Sequence, residues 1–479
     1  MPPVILTPKQ MARLTSGQWR NLPESGLSIT GVNYYLPRVK PGDLFIHRSQ
    51  EQANLSGEDN VLDKAFQQGA IAALVLKNTR QANNRPLLEV ENIFKAFQDL
   101  ALASSFTFDG IKILVTGSHG KTGFKTQLFH VLKNQFRVHA HLDSDNQIYP
   151  VFRTLTAIPK DAEIAIIETA IPGEGYGEDR TFFIRPNYCV ITGIGMEHLG
   201  KHKSISNLIK NKSAVVIGLR PGGRCILNAE DPHFNEVYAA VRSYSGCDIL
   251  TFGSSPNCAG RLVSAQYHDF QWQVVADISG EIIRYTLPLI EDYAPLASVS
   301  VLLMAKLLGA NLQLGASEYP TYKNFESSGN LYEVQLPEGR FHVYDQSRRG
   351  EWKGFESMFE LMSRLTPENA GRKIVVLSEL INLEDNPDAP IDLEKMRHLF
   401  ECAGVNLLFS IHRFKEHSAI VSPTTEWRKH GDTFQEIQDD LISAIQPNDM
   451  IFVRGIEDAR LDKLVNKLIA MGKSAKKIY

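Results

Sequence analysis

Residues 113–122 read Ile113-Leu-Val-Thr-Gly-Ser-His-Gly-Lys-Thr122. The apolar run at the start predicts a buried strand, and a helical pattern begins at Lys121 and continues to Leu132. A glycine turn between a strand and a helix aims backbone N–H groups at a phosphate. The segment therefore predicts a nucleotide-binding loop. The alternative is an ordinary glycine turn that carries a solvated lysine.

Within this loop, Lys121 is placed to reach the outer phosphates, and the Thr122 hydroxyl is placed to bind Mg²⁺. The usual pattern has four residues between its glycines, whereas two residues separate Gly117 from Gly120 here. The nucleotide-binding residues predicted in the loop are Gly117, Ser118, His119, Gly120, Lys121 and Thr122.

The composition limits the classes of function. A length of 479 residues predicts two to four domains. The net charge of −3 gives no electrostatic footprint for nucleic acid or an anionic membrane. The five cysteines contain no Cys-x-x-Cys pair, which fits a reducing compartment without a zinc site. We find no signal peptide and no apolar run long enough to cross a bilayer, so a cytoplasmic protein is expected.

The order of predicted elements indicates an α/β fold. Short apolar strands alternate with helices, and Ala162–Ala170 is apolar throughout its core, as in a parallel sheet buried on both faces. Residues 260–289 alternate polar and apolar side chains and predict antiparallel strands. We predict a central doubly wound, mostly parallel sheet, a C-terminal Rossmann-like domain and a small N-terminal α/β domain. The basic tail, Lys473–Tyr479, is expected to be frayed.

Four features occur in order: the Gly-Lys-Thr loop, Glu168 at a strand end, Glu197-His-Leu199, and Leu227-Asn-Ala-Glu-Asp-Pro232. Together they resemble the ATP-dependent Mur ligases, amide ligases that build the peptidoglycan stem peptide. The resemblance covers nearly the whole chain. Val39-Lys-Pro-Gly-Asp-Leu-Phe45 is similar to the first-domain signature. Asn146–Leu155 and Val453–Leu461 resemble segments of the subgroup that adds D-alanyl-D-alanine.

The resemblance implies three domains. Residues 1–107 would bind the carboxylate substrate, residues 108–315 would bind ATP, and residues 316–479 would bring the amine. ATP and Mg²⁺ are the implied cofactors, and small-molecule acids and amines are the implied partners. Neither nucleic acid nor membrane is expected, and the protein would be a monomer or a homodimer.

The resemblance also assigns residues. Lys121, His198 and Lys212 would be catalytic, and Thr122, Glu168, His198 and Lys212 would serve Mg²⁺. Lys212 aligns with a lysine that many of these enzymes carbamylate, although Lys210 is close enough to confuse the assignment. Asn228 and Asp231 match an adenine-side motif, and Arg340 and Asp345 match the family's arginine and ribose-binding aspartate. Asn146, in one of the segments that resemble the D-alanyl-D-alanine-adding subgroup, would contact substrate. Arg348 and Arg349 depart from the family pattern and would add two cations near the amine side, able to contact a carboxylate or phosphate of the substrate. For each of these residues, a solvated or turn position is the alternative.

Several positions depart from the family pattern. His119 and Gly123 stand where the family has asparagine and threonine, and Tyr293 and Ala297 replace a His-x-x-x-Asn pair. The Asp-Ser-Arg that grips the uridine nucleotide is absent before Val39. These departures predict an amide ligase whose carboxylate lies outside standard peptidoglycan synthesis. A genuine cell-wall ligase with an unusual recognition loop is the second hypothesis, and a catalytically silent nucleotide-binding partner subunit is the third.

Overall fold

The computed structural model describes residues 3–48, 60–80, 84–142, 146–195, 202, 204–268, 270–323, 329–348, 352–379, 393–472 and 474–477. The chain divides into two compact units. The first unit is Met1–Ile194, Ser206–Phe252 and Leu307–Asn311, and the second is Gly195–Ile205, Gly253–Lys306 and Leu312–Tyr479. Within the described ranges, no helix has both the length and the apolar character needed to span a bilayer.

The first unit begins with a five-stranded sheet in the order β1-β5-β4-β3-β2, in which only β1 is antiparallel to its neighbour. Its strands are β1 Gln18–Arg20, β2 Gly31–Asn33, β3 Asp43–Ile46, β4 Ala72–Leu76 and β5 Leu87–Val90. The accompanying helices are α1 Pro8–Thr15, α2 Val61–Gln67 and α3 Ile93–Thr107.

The first unit also contains six parallel strands in the order β7-β8-β6-β9-β10-β11. They are β6 Ile111–Thr116, β7 Val138–Ala140, β8 Ile164–Glu168, β9 Tyr188–Ile191, β10 Arg224–Asn228 and β11 Asp248–Gly253. The helices are α4 Lys121–Leu132, α5 Ile148–Thr156, α6 Tyr176–Ile184, α7 Ile205–Ser213 and α8 Phe234–Tyr244. Strand β6 lies between β8 and β9, so the chain reverses its direction of winding at the end of β6. Ligands bind at such switch points in open α/β sheets.

The second unit contains the antiparallel strands β12 Gly260–His268, β13 Gln271–Ile278 and β14 Glu281–Leu287, followed by helices α9 Ala294–Leu307 and α10 Leu312–Ser317. Its seven-stranded sheet has the order β19-β18-β17-β20-β16-β15-β21. These strands are β15 Asn330–Leu336, β16 Gly339–Gln346, β17 Lys373–Leu377, β18 Leu407–Ile411, β19 Glu426–Gly431, β20 Met450–Arg454 and β21 Ser474–Lys477. The helices are α11 Trp352–Arg364, α12 Leu393–Ala403, α13 Phe434–Ala444 and α14 Leu461–Ala470.

Apolar side chains on both faces of this last sheet form two separate core clusters, one around Phe355 and Phe359 and the other around Val453 and Leu464. A sheet covered on both faces explains why β17, β18 and β20 are apolar without alternation. The predicted α/β fold class is confirmed. The domain boundaries at residues 107 and 315 stay a prediction.

The prediction of a frayed tail was wrong. Residues 474–477 form β21, which pairs in antiparallel register with Tyr332–Gln335 of β15. The ladder is made by backbone groups, whose hydrogen bonds do not depend on the charge of the segment.

Candidate active site

The loop between β6 and α4 is shaped by two glycines. Gly117 and Gly120 adopt φ of 148° and 79°, a region that disfavours other residues. A Cβ at Gly117 would lie 2.2 Å from Oγ1 of Thr192. Gly120 is the N-cap of α4 and offers no capping side chain, so the helix presents its first N–H groups and the positive end of its dipole at the loop.

The loop is fixed to the chain that follows β9. The N–H of Ser118 donates to the carbonyl of Gly193 at 2.8 Å, and the Thr192 hydroxyl donates to the carbonyl of His119. The imidazole of His119 lies against Gly193, where an added Cβ would come within 2.5 Å of Cε1. These two hydrogen bonds therefore fix the loop to the segment that follows β9.

Lys121 lies over this loop. Its Nζ donates to the carbonyls of Gly117 and Ser118 at 2.9 and 3.0 Å. These bonds place a positive charge at the mouth of the loop, close to the N-terminus of α4. A cation and oriented N–H groups at one point form a site for the phosphates of a nucleotide.

Glu168, the last residue of β8, is the centre of a buried polar cluster. Its Oε1 accepts hydrogen bonds from the Thr122 hydroxyl at 3.0 Å and from the Asn146 amide at 3.1 Å. Its Oε2 lies 2.7 Å from Nζ of Lys125. The carboxylate thus reaches the first turn of α4, directly beside the phosphate loop.

The separation of Thr122 Oγ1 and Glu168 Oε1 suits Mg²⁺. Adjacent ligands of an octahedral ion with bonds of 2.0–2.1 Å lie roughly 2.9 Å apart, close to the 3.0 Å observed. Both are hard oxygen donors, and a Mg²⁺ ion of this kind completes its shell with water and phosphate oxygens. The pair therefore fits the metal that the sequence predicts.

Lys212, near the end of α7, also reaches the phosphate loop. Its side chain is buried, with only 6 % of the residue exposed, and its Nζ donates to the carbonyl of Gly117 at 3.1 Å. The neighbouring candidate, Lys210, is exposed. Of the two lysines that the sequence left open, the structure brings Lys212 to the phosphate loop. Whether Lys212 is carbamylated stays a prediction.

A small pocket lies beside the loop on the β9–β10 side of the sheet. Asp231 closes one end, where Oδ2 accepts from the N–H of Ile194 at 2.6 Å and Oδ1 accepts from the N–H of His233 at 2.8 Å. The pocket is lined by Ile191, Gly193, Ile194, Leu227, Asn228, Asp231, Phe234 and Val237. Asn228 and Asp231, the two residues that match the adenine-side motif, thus lie at the same pocket, and their role toward the nucleotide stays a prediction.

The residues predicted in the second unit are distributed along β16 and beyond. Arg340, at the start of β16, pairs with Glu333 at 2.8 Å and Glu368 at 3.0 Å. Asp345, near the other end, is buried and accepts from the N–H of Ser347 at 3.0 Å. Arg348 pairs with Asp462 at 2.8 Å. The structure does not bring Arg340 and Asp345 together, and their roles toward the nucleotide stay predictions.

Two predicted residues, His198 and Arg349, lie outside the described residues. One residue of the cluster, Lys125, was missed by sequence reasoning. The sequence feature that could have identified Lys125 is its spacing of four residues from Lys121 on a predicted helix, which puts both ammonium groups on one face. Asn146 was expected to contact substrate. The structure brings its amide to Glu168, and a substrate role stays a prediction.

Comparison with known families identifies the central part of the chain. Residues 115–294 match the Mur ligase middle domain. A curated relative, the UDP-N-acetylmuramoyl-tripeptide–D-alanyl-D-alanine ligase of Rickettsia prowazekii, is 23% identical over 91% of this chain and 94% of its own length. The enzyme of the same name from Bacillus subtilis is 23% identical over 97% of this chain and 98% of its own length.

Solved structures show the same fold. MurF from Acinetobacter baumannii superposes with a TM-score of 0.77 at 18% identity, covering 98% of this chain and 100% of that chain. MurF ligase from Thermotoga maritima, solved in complex with ADP, gives a TM-score of 0.70 at 18% identity, covering 92% and 98%. The resemblance to the Mur ligases that the sequence predicted is confirmed.

Proposed function

We propose that this chain belongs to the Mur ligase family and is an ATP-dependent ligase that joins an amine to the carboxylate of a peptidoglycan precursor. The proposed reaction is the addition of D-alanyl-D-alanine to a UDP-N-acetylmuramoyl-tripeptide, the step for which these relatives are named. Similarity to ligases of that name over more than nine tenths of both chains supports this choice over a substrate outside peptidoglycan synthesis.

The observation that carries the proposal is the convergence of Lys121, Thr122, Glu168 and Lys212 on one glycine loop. Phosphoryl transfer needs positioning and charge stabilisation more than covalent help from the protein. The loop N–H groups and Lys121 would hold the outer phosphates of ATP. Mg²⁺, held by Thr122 and Glu168, would offset charge on the transferring phosphoryl group.

The substrate carboxylate would attack the γ-phosphate and release ADP. The amine would then attack the resulting acyl phosphate, phosphate would leave, and the amine would lose a proton as the amide forms. Lys212, which donates to the carbonyl of Gly117 in the loop, would orient the reacting groups. Such an enzyme would work in the cytoplasm, where ATP is available.

A second candidate function keeps the chemistry and changes the carboxylate. The observation that favours it is the segment before Val39, which lacks the expected uridine-binding residues. There the amide of Asn33 donates to the buried Asp43, and Tyr34 packs on Tyr149 with ring centroids 5.7 Å apart. The side chains of Asn33 and Tyr34 thus make contacts within the protein, and they are not the residue types expected to bind uridine.

Phosphate release from ATP and Mg²⁺ tests the proposal. We expect release that requires both UDP-N-acetylmuramoyl-tripeptide and D-alanyl-D-alanine, and that disappears in Lys121→Ala. Lys133→Ala is the matched control, because Lys133 is an exposed lysine at the end of the same helix. Release only with non-muramyl acids would support the second candidate. ADP binding without release in any pool would argue for the silent subunit.

A further inference from the structure

Lys125 is a buried lysine in a position where burial is costly. It lies one turn after Lys121 in α4, and 2% of its side chain is exposed. Its partner, Glu168, has 1% of its side chain exposed. Removing two charges from water is costly, and well-packed apolar residues often replace such pairs without loss of stability. Stability alone therefore does not account for this pair.

The two oxygens of Glu168 have different surroundings. Oε1 faces Thr122 and Asn146, both neutral hydrogen-bond donors. Oε2 faces the ammonium group of Lys125 at 2.7 Å in a buried ion pair. A cation approaching beside Thr122 therefore meets Oε1, while Oε2 is held by a positive charge.

We propose that Lys125 is a positioning residue that limits Glu168 to coordination through one oxygen and thereby favours Mg²⁺ over Ca²⁺. Ca²⁺ takes six to eight oxygens at 2.3–2.6 Å and often binds a carboxylate through both oxygens, whereas Mg²⁺ keeps six ligands at 2.0–2.1 Å. Engagement of Oε2 by Lys125 removes the second oxygen. The inference rests on the proposed function, since it concerns the metal that accompanies the nucleotide.

The packing around Lys125 keeps its ammonium group beside Oε2 of Glu168. Its stem lies in a helix whose neighbours Phe124 and Leu128 are buried. An ammonium group in this position cannot move into water without leaving its carboxylate. Asn146 also holds Oε1 in place, and its own carbonyl accepts from the N–H of Ala170 at 2.7 Å. Glu168 is thus oriented from both of its oxygens.

The test is the affinity of the protein for ADP, measured by calorimetry with saturating Mg²⁺ and with saturating Ca²⁺. The readout is the ratio of the two dissociation constants, which does not depend on turnover. In Lys125→Met we expect the preference for Mg²⁺ to fall by at least roughly fivefold, because both oxygens of Glu168 become available to Ca²⁺. Lys133→Met, the same substitution at an exposed position of the same helix, should keep the original ratio.

A Mg²⁺ preference in Lys125→Met equal to that of the unsubstituted protein would overturn the inference and leave the proposed function standing. Failure of the unsubstituted protein to bind ADP with either ion would instead refute the proposed nucleotide site, and the inference with it. If Lys125→Met does not fold, a crystal structure of the unsubstituted protein with Ca²⁺ and ADP decides. Glu168 bound through one oxygen with Lys125 still in contact supports the inference, and bidentate binding with Lys125 displaced overturns it.

Discussion

Lys121 and Lys212 donate to the same atom, the carbonyl oxygen of Gly117, at 2.9 and 3.1 Å. Two ammonium groups that share one acceptor repel each other, and a bound polyphosphate would relieve that repulsion. Carbamylation of Lys212 would relieve it in another way, by turning one of the cations into an anion. The charges of Lys121 and Lys212 are therefore coupled at this shared acceptor.

The first prediction concerns Lys212. Lys212→Met should lower kcat for the proposed ligation by about 100-fold or more, the usual cost of removing a group that stabilises developing charge. Lys210→Met is the control, since Lys210 is exposed on the same helix, and it should keep near-normal kcat. Steady-state phosphate release measures both. Equal losses in the two variants would show that Lys212 acts only through the helix.

The second prediction concerns stability. Glu168→Gln leaves Lys125 buried without its counter-charge, so the free energy of unfolding should fall by about 3–5 kcal/mol. The double variant Glu168→Gln/Lys125→Met should recover a large part of that loss, and urea unfolding measures it. Glu91→Gln removes a partner from the exposed Lys77–Glu91 pair and should change little. Additive losses in the double variant would contradict the ion-pair account.

The third prediction is a pH dependence at Lys112. Burial, with a smaller contribution from Arg220 and Arg185, lowers the pKa of Lys112 from 10.5 to about 7. Its Nζ lies 2.6 Å from the carbonyl and 2.8 Å from the hydroxyl of Ser105. Between pH values of about 7 and 10.5, Lys112 is protonated in the unfolded chain and neutral in the folded protein. The contribution of Lys112 to stability therefore rises with pH across that window.

Unfolding measured from pH 6 to pH 9 checks this sign. Relative to Lys112→Met, the unsubstituted protein should gain stability with a slope approaching about 1.4 kcal/mol per pH unit above pH 7. A difference that stays flat, or that falls as the pH rises, would show that Lys112 keeps its charge in the folded protein.

The fourth prediction concerns a close approach of two segments. A Cβ at Gly177 in α6 would lie 2.4 Å from the carbonyl oxygen of Asn211, next to Lys212. Gly177→Ala should destabilise the protein by about 1–3 kcal/mol, because overpacking outweighs the roughly 1 kcal/mol by which alanine favours a helix. It should also lower the rate of ligation through displacement of Lys212. Gly173→Ala, whose Cβ would meet only Tyr176 at 3.7 Å, should be tolerated; a similar loss in both variants would argue against the close approach.

The sequence predicted the strands that are short, apolar and bounded by glycine or proline. The apolar segment within Ala162–Ala170 forms β8 in a parallel ladder, and Lys121 begins α4 as expected. These signals are local. The pairing of β21 with β15 is not local, because it joins backbone groups far apart in sequence. The basic composition of the tail predicted a frayed end instead.

Part of the site was also predictable, because some of its signals are local in the sequence. Strand-end residues such as Glu168 could be assigned because parallel strands present their carboxyl ends at one edge. The contact between Lys125 and Glu168 joins residues 43 positions apart and required the helix to be packed on the sheet. Likewise, the choice between Lys210 and Lys212 depended on which side of α7 faces Gly117.

Mass spectrometry of the reaction product tests the central claim most directly. The protein would be incubated with ATP, Mg²⁺, UDP-N-acetylmuramoyl-tripeptide and D-alanyl-D-alanine, beside Lys121→Ala. We predict a product with the mass of the two substrates less one water, one ADP formed for each amide, and neither in the variant. ADP formed without any amide, or an amide formed equally by Lys121→Ala, would contradict the account.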